Sequence, residues 1–302
     1  MDVNYKKLIV IAGPTAVGKT AVAIRLAQAL NTEIISCDSR QFYKEMNVGT
    51  AKPSAEELSL VRHHFIDNLS VADYYNVYKF ENDVLELLEK LFKEYDKVIM
   101  VGGSGLYIDA VCNGIDDFPD PTKETRDFLK KKLTDEGIEG LQKILLHLDP
   151  EYYQTVDLNN PARLTRALEV CITLGDKYSK YRMHAEKKRE FDIVKIALQM
   201  PREQLVSRIE TRVDTMMQAG LLEEVKALKA NRNMNALNTV GYKEIFAYLD
   251  GNISLAQAVA DIKTNTRRYA KRQMTWLRRD HAYTWFSPDQ FDEIVALCNK
   301  DD

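Results

Sequence analysis

Hydrophobic and polar positions alternate along the first third of the chain as they do in α/β proteins. Two β-branched apolar runs, Lys7–Ala12 and Glu33–Cys37, predict short buried strands, and Val98–Val101 predicts a third. Ala and Leu recur at three- and four-residue spacing in Lys19–Leu30, which predicts a helix. A second predicted helix carries its apolar face at Val77, Phe80, Val84, Leu88 and Leu91. Strands that alternate with helices predict a parallel sheet flanked by helices.

The pattern changes at about residue 114. Turn-forming residues mark a boundary there, and only helical periodicity follows, at Glu124–Leu133, Leu141–Leu148 and Ala162–Leu174. Ile193–Met200 again resembles a strand, and because a lone strand must pair, we expect it to rejoin the first sheet. The sequence therefore predicts a discontinuous core, residues 1–113 and 194–302, with an all-helical insertion domain at 114–193. The later elements are predicted helices at Glu203–Ala219, Leu221–Lys229, Lys243–Tyr248 and Ser254–Arg278, a short strand at 282–286 and a closing helix.

Composition narrows the classes of protein that fit. The chain has 302 residues, 45% hydrophobic and 29% charged, which is typical of a globular protein with two domains. No apolar stretch approaches the roughly 18 residues of a membrane helix, so no membrane partner is expected. Four widely separated cysteines without ligand spacing predict neither a zinc site nor a disulfide framework, and favour a cytoplasmic location.

The charge is unevenly distributed. The net charge of −3 alone argues against a nucleic-acid partner. However, Lys263–Asp280 carries seven basic residues against one acid, and Asp176–Glu190 carries six against three. Each stretch is either a solvated helix face or a nucleic-acid contact, and Tyr269 and Trp276 within the first favour RNA binding there.

A complete GxxxxGK[ST] motif follows the first predicted strand. Its glycines let backbone N–H groups surround phosphate oxygens, Lys19 adds a cation, and the Thr20 hydroxyl can bind Mg²⁺. The predicted helix directly after the motif adds its positive dipole end. The motif therefore predicts a phosphate site, which comprises Gly13, Pro14, Thr15, Ala16, Val17, Gly18, Lys19 and Thr20.

The phosphate site alone does not fix the reaction, because kinases, NTPases and diphosphate-releasing transferases share it. An NTPase usually carries an acid at the end of a buried strand, but Val101 is followed by Gly-Gly-Ser. Asp38 follows the second strand instead. It is either a base that takes a proton from an attacking amine or hydroxyl, or the N-cap of a helix.

Eight sequence blocks occur in an order that resembles the tRNA dimethylallyltransferases, also called tRNA isopentenyltransferases. They span nearly the whole chain and are GPTAVGKT, SCDSRQFY, NVGTAKP, HHFID, VGGSGLY, NPARLTRALEV, TVGYKE and YAKRQMTWLRR. The resemblance implies a P-loop-type α/β core with a helical insertion. It also implies transfer of the five-carbon chain of dimethylallyl diphosphate to N6 of adenosine-37 in the tRNA anticodon loop. Mg²⁺ as cofactor and a monomeric protein are implied as well.

The resemblance also implies roles for particular residues. Asp38 is the base, Lys19 and Thr20 act on the diphosphate with Mg²⁺, and Arg212 helps to hold it. The segments that match tRNA contacts comprise Asp38, Ser39, Arg40, Gln41, Ser104, Arg126, Ala162, Arg163, Leu164, Thr165, Arg166 and Lys243. Ala162 stands where relatives often carry Gln, and Asn238 stands where they often carry a basic residue.

Three other functions are compatible with parts of this pattern. An adenylate isopentenyltransferase would share the core but has no need of the insertion or of the basic C-terminal helix. A P-loop small-molecule kinase would bind and turn over ATP without tRNA. A non-enzymatic RNA-binding protein would leave the phosphate motif and Asp38 without a use.

Overall fold

The computed structural model describes residues 6–182 and 187–300. The chain divides into two compact units, one made of the residues up to Asn113 together with those from Lys188 onward, the other Gly114–Lys187. Part of the second predicted basic stretch, residues 183–186, lies outside the described residues. None of the helices within the described ranges is long and apolar enough to cross a membrane.

The first unit is built on one sheet. Its strands are β1 (Lys7–Ala12), β2 (Ile34–Ser36), β3 (His63–His64), β4 (Lys97–Gly102), β5 (Asp192–Leu198) and β6 (Thr284–Phe286). All neighbouring pairs are parallel, in the order β3-β2-β4-β1-β5-β6. The predicted α/β fold is confirmed, and the strand after the helical segment returns beside β1, as expected. β3 escaped prediction because two residues carry no periodicity.

β1 runs through the middle of the sheet and is buried along its whole length. Its side chains alternate between two hydrophobic cores, Leu8 and Val10 on one face and Ile9 and Ile11 on the other. Because β4 lies between β2 and β1, the carboxyl ends of these three strands are neighbours. This brings together the loops that follow Ala12, Ser36 and Gly102.

Helices cover both faces of the sheet and make up the second unit. They are α1 (Lys19–Leu30), α2 (Ala55–Leu60), α3 (Val77–Leu91), α4 (Gly105–Asn113), α5 (Lys123–Leu148), α6 (Pro150–Tyr153), α7 (Pro161–Leu174), α8 (Tyr178–Tyr181), α9 (Arg202–Gln218), α10 (Leu221–Ala227), α11 (Tyr242–Leu249), α12 (Leu255–Leu277) and α13 (Phe291–Cys298). The predicted apolar face of α3 is confirmed, with Phe80, Val84, Leu88 and Leu91 all buried. Phe80 also stacks on Phe42, with ring centroids 5.3 Å apart.

The second unit, Gly114–Lys187, contains α5 to α8 and has its own core. The two helices predicted between Glu124 and Leu148 are confirmed as two helical segments of α5, separated at Gly137, whose φ of 66° is not helical and is one that few other residues adopt readily. The buried Asp149 carboxylate accepts hydrogen bonds from the Ser179 N–H at 2.7 Å and the Ser179 hydroxyl at 2.9 Å. This bond pair fixes the start of α8 against the end of α5.

The chain re-enters the first unit six residues earlier than the predicted boundary at 193/194. The reason is Arg189, whose guanidinium donates to the carbonyls of Ala110 and Val111 at the end of α4 and to the buried carboxylate of Glu81. A buried guanidinium needs such partners, so the segment before β5 packs as part of the core.

Candidate active site

The predicted phosphate loop lies between β1 and α1. Gly18 caps α1 with a φ of 107°, a conformation that a residue with a side chain rarely adopts. Ala16 also has a positive φ, of 66°, and the Val17 side chain is fully buried in the core. The loop therefore offers its backbone, rather than its apolar side chains, to a ligand.

A cavity of about 510 Å³ opens above this loop. It is lined by Thr15, Ala16, Gly18, Lys19, Thr20, Ala21, Ser36, Asp38, Gln41, Thr50, Ala51, Pro53, Glu57, His63, Ile66, Val101, Gly102, Ser207, Arg208, Thr211, Arg212, Tyr269 and Gln273. The structure thus brings Asp38, Lys19, Thr20 and Arg212 to one site, although they are up to 193 positions apart in the chain.

Three cations surround the phosphate loop. Lys19 donates to the Pro14 carbonyl at 2.9 Å, and Arg212 donates to the Thr15 hydroxyl at 3.0 Å. Arg208, which the sequence analysis did not single out, lies one turn before Arg212 on α9. Its guanidinium nitrogens lie 3.7 and 3.9 Å from where a Cβ on Gly18 would stand. The four-residue spacing of the two arginines was the available signal.

Burial lowers the pKa of Lys19 to about 8, an effect that the nearby Asp38 carboxylate partly opposes and that the Arg212 guanidinium adds to. Burial also lowers the pKa of Arg212, again with Asp38 acting in the opposite direction. Three cations placed together at a loop of backbone N–H groups form a strong anion site.

The Lys19 pKa predicts a pH dependence. A lysine whose pKa is lowered carries its charge below that pKa and loses it above. We therefore expect kcat/KM for an anionic phosphate substrate to be constant below about pH 8 and to fall about tenfold per unit above it. The check is kcat/KM for the phosphate substrate measured from about pH 6 to 10. If kcat/KM of the wild-type enzyme does not fall above about pH 8, Lys19 is not a charge on which the reaction depends.

Asp38 begins a turn. Its carboxylate accepts the Arg40 N–H at 3.0 Å, and its carbonyl accepts the Gln41 N–H at 3.0 Å. No helix follows, since the next one begins at Ala55, so the helix N-cap interpretation is wrong. The carboxylate lines the cavity, close enough to Lys19 and Arg212 for its negative charge to offset part of the lowering of both pKa values.

The residues after Asp38 are held by local contacts. The Ser39 N–H donates to the Ser104 hydroxyl at 3.1 Å, which joins the turn to the loop after β4. Arg40 donates to the Asn235 carbonyl at 3.2 Å. The Gln41 amide nitrogen lies 3.2 Å from the carbonyls of Thr50 and Ala51 and donates to both. In this structure Gln41 therefore joins two loops of the cavity wall.

Gln273, a residue not predicted from the sequence, connects the phosphate loop to the loop after β4. Its side-chain oxygen accepts the Thr15 N–H at 2.8 Å, and its nitrogen donates to the Gly103 carbonyl at 2.9 Å. A Cβ on Gly103 would lie 2.2 Å from that nitrogen, which explains why the position is glycine. The Gly-Gly-Ser-Gly run after β4 was the one sequence signal that another group packs closely there. Nothing in the sequence indicates that this group lies on α12.

Glu224 on α10 holds the loop that contains Thr50, and it too was missed. Its carboxylate accepts the N–H groups of Asn47, Val48 and Gly49 at 2.7 to 3.0 Å, together with the Tyr242 hydroxyl at 2.7 Å. If a carboxylate that accepts several backbone N–H groups is replaced by an amide, the amide NH₂ group faces those N–H donors and cannot bond to them.

Replacing Glu224 by glutamine should therefore lower the free energy of unfolding by about 2–4 kcal/mol, because the amide nitrogen would face backbone donors. Urea unfolding measures the difference. The neighbour Glu223 is the matched control, since it pairs only with Lys226 at 3.7 Å on the surface. Glu223→Gln should stay within about 0.5 kcal/mol of wild type. Equal losses in the two variants would contradict this role.

The remaining predicted tRNA-contact residues lie outside the cavity lining. In the second unit, Arg126 lies on α5, and Ala162, Arg163, Leu164, Thr165 and Arg166 form the first turns of α7. Leu164 requires a correction, because its side chain is fully buried in the core of that unit and cannot bind RNA. In the first unit, Lys243 is exposed at the start of α11.

The basic stretch Lys263–Asp280 is mostly the solvent-facing side of α12, and acids neutralise part of it. Lys263 pairs with Asp214, and Arg267 pairs with Glu210, both on α9. The net positive charge available to a partner is therefore smaller than the sequence count indicates.

Known proteins resemble the chain over its whole length. The IPP transferase family model matches residues 41–280. The protein named tRNA dimethylallyltransferase of Christiangramia forsetii is 50% identical over 301 residues, which is 98% of this chain and 99% of that protein. The one named tRNA dimethylallyltransferase 1 of Bacteroides fragilis is 48% identical over 291 residues, with 96% and 97% coverage.

Solved structures give the same result. The full-length tRNA isopentenylpyrophosphate transferase of Bacillus halodurans superposes with a TM-score of 0.71 at 36% identity, covering 97% of this chain and 95% of that one. A eukaryotic dimethylallyltransferase described as acting on tRNA superposes with a TM-score of 0.74 at 29% identity, with 90% and 70% coverage. The protein therefore belongs to the IPP transferase family, the family of the tRNA dimethylallyltransferases.

Proposed function

We propose that the protein transfers the dimethylallyl group of dimethylallyl diphosphate to N6 of adenosine-37 in the anticodon loop of tRNA. The observation that carries the proposal is one cavity with two kinds of chemistry, an anion site at the phosphate loop and the Asp38 carboxylate beside it. A reaction that releases diphosphate and removes a proton from a nucleophile needs both groups within reach of one bond.

The chemistry is a displacement at the first carbon of the prenyl chain. The N6 lone pair forms a bond to that carbon while the carbon–oxygen bond breaks, and the bond pair leaves with the diphosphate. Asp38 accepts the proton that N6 loses. Negative charge grows on the leaving group as the bond breaks, and Lys19, Arg212, Arg208 and the loop N–H groups stabilise it. The products are N6-dimethylallyladenosine in tRNA and diphosphate.

Mg²⁺ fits the oxygen donors of this site. Thr20 is the second residue of α1 and lines the cavity, and no cluster of three or more His, Cys, Asp or Glu that could hold a metal occurs in residues 6–182 and 187–300. That pattern suits Mg²⁺, which is usually held by one or two protein oxygens together with substrate phosphates. We propose that Thr20 holds it against the diphosphate. When bound, Mg²⁺ supplies further positive charge to the leaving group.

The tRNA requirement follows from the position of the acceptor. An adenosine stacked in an anticodon loop must flip out to reach a cavity next to Asp38. We propose that the Ser39–Gln41 turn, the exposed cations of α12 and the exposed first turn of α7 contact the RNA. We also propose that the protein acts as a monomer, as the family resemblance implies. We also propose a cytoplasmic location, which the tRNA substrate and four buried free thiols favour.

A small-molecule kinase is the second candidate and is less well supported. In kinases and NTPases an acid near the phosphates usually holds Mg²⁺. Here β4 ends in Gly102, the Gly103 carbonyl is bound by Gln273, and Ser104 is bound by Ser39. Asp38 lines the cavity, acts electrostatically on Lys19 of the phosphate loop, and lies in a turn that suits a group that accepts a proton from a nucleophile.

One assay separates the candidates. Purified protein receives labelled dimethylallyl diphosphate and Mg²⁺, with tRNA, with AMP, or with no acceptor. We expect label in tRNA alone. Label in AMP but not in tRNA would identify an adenylate isopentenyltransferase. No transfer from the prenyl donor, combined with ATP turnover in a parallel reaction that contains ATP, would identify a kinase.

A further inference from the structure

A single aromatic ring of the Phe, Tyr or Trp type is present among the described residues that line the cavity, and it is Tyr269. It lies on α12, one turn before Gln273, which is fixed by its bonds to Thr15 and Gly103. Tyr269 is 37% exposed, whereas the other described aromatic residues of this unit, apart from Tyr74, are buried or partly buried. An exposed ring in the wall of a polar cavity is available to a ligand.

Polar neighbours hold this ring next to Asp38. The Tyr269 side chain lies close to Ser104, and Asp38 and Arg40 are near enough to act on it electrostatically. Ser104 in turn donates to the Ser39 hydroxyl at 3.2 Å. The Arg272 guanidinium carbon lies 5.7 Å from the ring centroid. The ring is therefore fixed relative to the residue that would take the proton from N6.

The other aromatic residue of the same basic stretch behaves differently. Trp276 donates its indole N–H to the Asp109 carboxylate at 2.8 Å and packs against α4. It thus uses its polar group within the protein, as partly buried tryptophans usually do. The two aromatic residues that the sequence grouped together have separate roles, one structural and one at the cavity.

An adenine that enters the cavity has polar edges and two apolar faces. Its edges can be met by Asp38, Ser36 and Gln41, which also line the cavity, but none of these side chains can cover a face. A base that leaves the stack of its own loop loses stacking energy, and an aromatic ring in the protein can replace part of it. Tyr269 is the lining residue with the shape and the location to do so.

We infer that Tyr269 stacks on the acceptor purine and so places its N6 beside Asp38. This inference rests on the proposed function. It names the residue that binds the flipped acceptor base in that reaction. Tyr269 is a binding residue for the acceptor, and the prenyl donor does not depend on it.

The test compares Tyr269→Leu, which keeps apolar volume but has no ring, with Tyr269→Phe, which keeps the ring. We expect the leucine variant to raise KM for tRNA about 5- to 100-fold, the range for one base stacked on one aromatic side chain, and to leave the donor KM within about twofold. The phenylalanine variant should stay within about threefold of wild type in both. Tyr74→Leu is the matched control, because Tyr74 is 42% exposed but does not line the cavity.

A second experiment detects stacking of the flipped base on the Tyr269 ring without turnover. An anticodon stem-loop with 2-aminopurine in place of the target adenosine cannot react, because it has no N6 amine. Stacking on tyrosine or phenylalanine quenches its fluorescence, so wild type and Tyr269→Phe should give a dimmer complex than Tyr269→Leu.

Three outcomes would overturn the inference while wild type still prenylates tRNA. They are a leucine variant with an unchanged KM for tRNA, a phenylalanine variant as impaired as the leucine one, and a leucine variant whose main defect is in the donor KM. If wild type fails to prenylate tRNA at all, the proposed function fails instead. Thermal unfolding of each variant establishes that the comparison is between folded proteins.

Discussion

Asp38→Asn lowers kcat for prenyl transfer by about 10²- to 10⁴-fold, the usual contribution of a positioned general base. Asparagine keeps the side-chain oxygen that accepts the Arg40 N–H, so the turn is preserved and only the proton acceptor is lost. Binding of the donor and of tRNA should change little. Single-turnover rates with saturating donor and tRNA measure the effect at the chemical step.

The Asp38→Asn experiment requires a defined pH range and a matched control variant. The Asp38 charge opposes the lowering of the Lys19 pKa by burial, so its loss should lower that pKa further, and both proteins should be compared over the same pH range. Asp73→Asn is the matched control, since the Asp73 carboxylate also accepts a turn N–H, from Ser70 at 2.7 Å, but does not line the cavity. If Asp38→Asn keeps nearly full kcat, Asp38 is not the base.

Lys19→Met should lower kcat/KM for dimethylallyl diphosphate by about 10²- to 10³-fold, comparable to the loss of one charge-stabilising donor in other enzymes. Methionine has a similar length and no charge, so it removes the cation with little change in volume. Part of the loss should appear in kcat, because the lysine interacts most strongly with the diphosphate after its charge has grown. Arg212 and Arg208 remain and account for the residual binding of the donor.

The pH profile distinguishes loss of this charge from general damage. In wild type the fall above about pH 8 reports the deprotonation of Lys19, so Lys19→Met should be slow at every pH and lack that fall. A variant that is slow but retains the same alkaline limb would show that another group titrates there. A variant with wild-type kcat/KM would remove Lys19 from the site.

The elements that the sequence predicts well are those with local signals. α1 and α3 carry clear helical periodicity, and β1 is a continuous β-branched apolar run. The phosphate motif also predicts its local backbone conformation, including the positive φ at Gly18. Asp38 and Arg212 were found through motif position and resemblance, and the structure brings both to the cavity. A very short element such as the two-residue β3 has no periodic signal and was not predicted.

The contacts that the sequence could not predict are long-range and made by ordinary polar residues. Gln273 reaches Thr15 across 258 positions, and Glu224 reaches Asn47 across 177. Neither glutamine nor glutamate is unusual on a helix, so nothing distinguishes these two from solvated side chains. Leu164 shows the opposite error, since it was predicted to contact tRNA because it belongs to a matching segment, but its side chain lies on the buried side of its helix. A motif specifies a segment, whereas the helical period decides which of its residues face a partner.

The most direct test of the proposed function is the identity of the modified nucleoside. tRNA transcripts carrying adenosine-37 are incubated with wild-type protein, Mg²⁺ and dimethylallyl diphosphate, digested to nucleosides and separated by chromatography with mass detection. A parallel transcript with inosine at the same position lacks the N6 amine. We predict N6-dimethylallyladenosine from the first transcript and no prenylated nucleoside from the second. Unmodified adenosine in the first, or a prenyl group on the inosine transcript, would contradict transfer to N6.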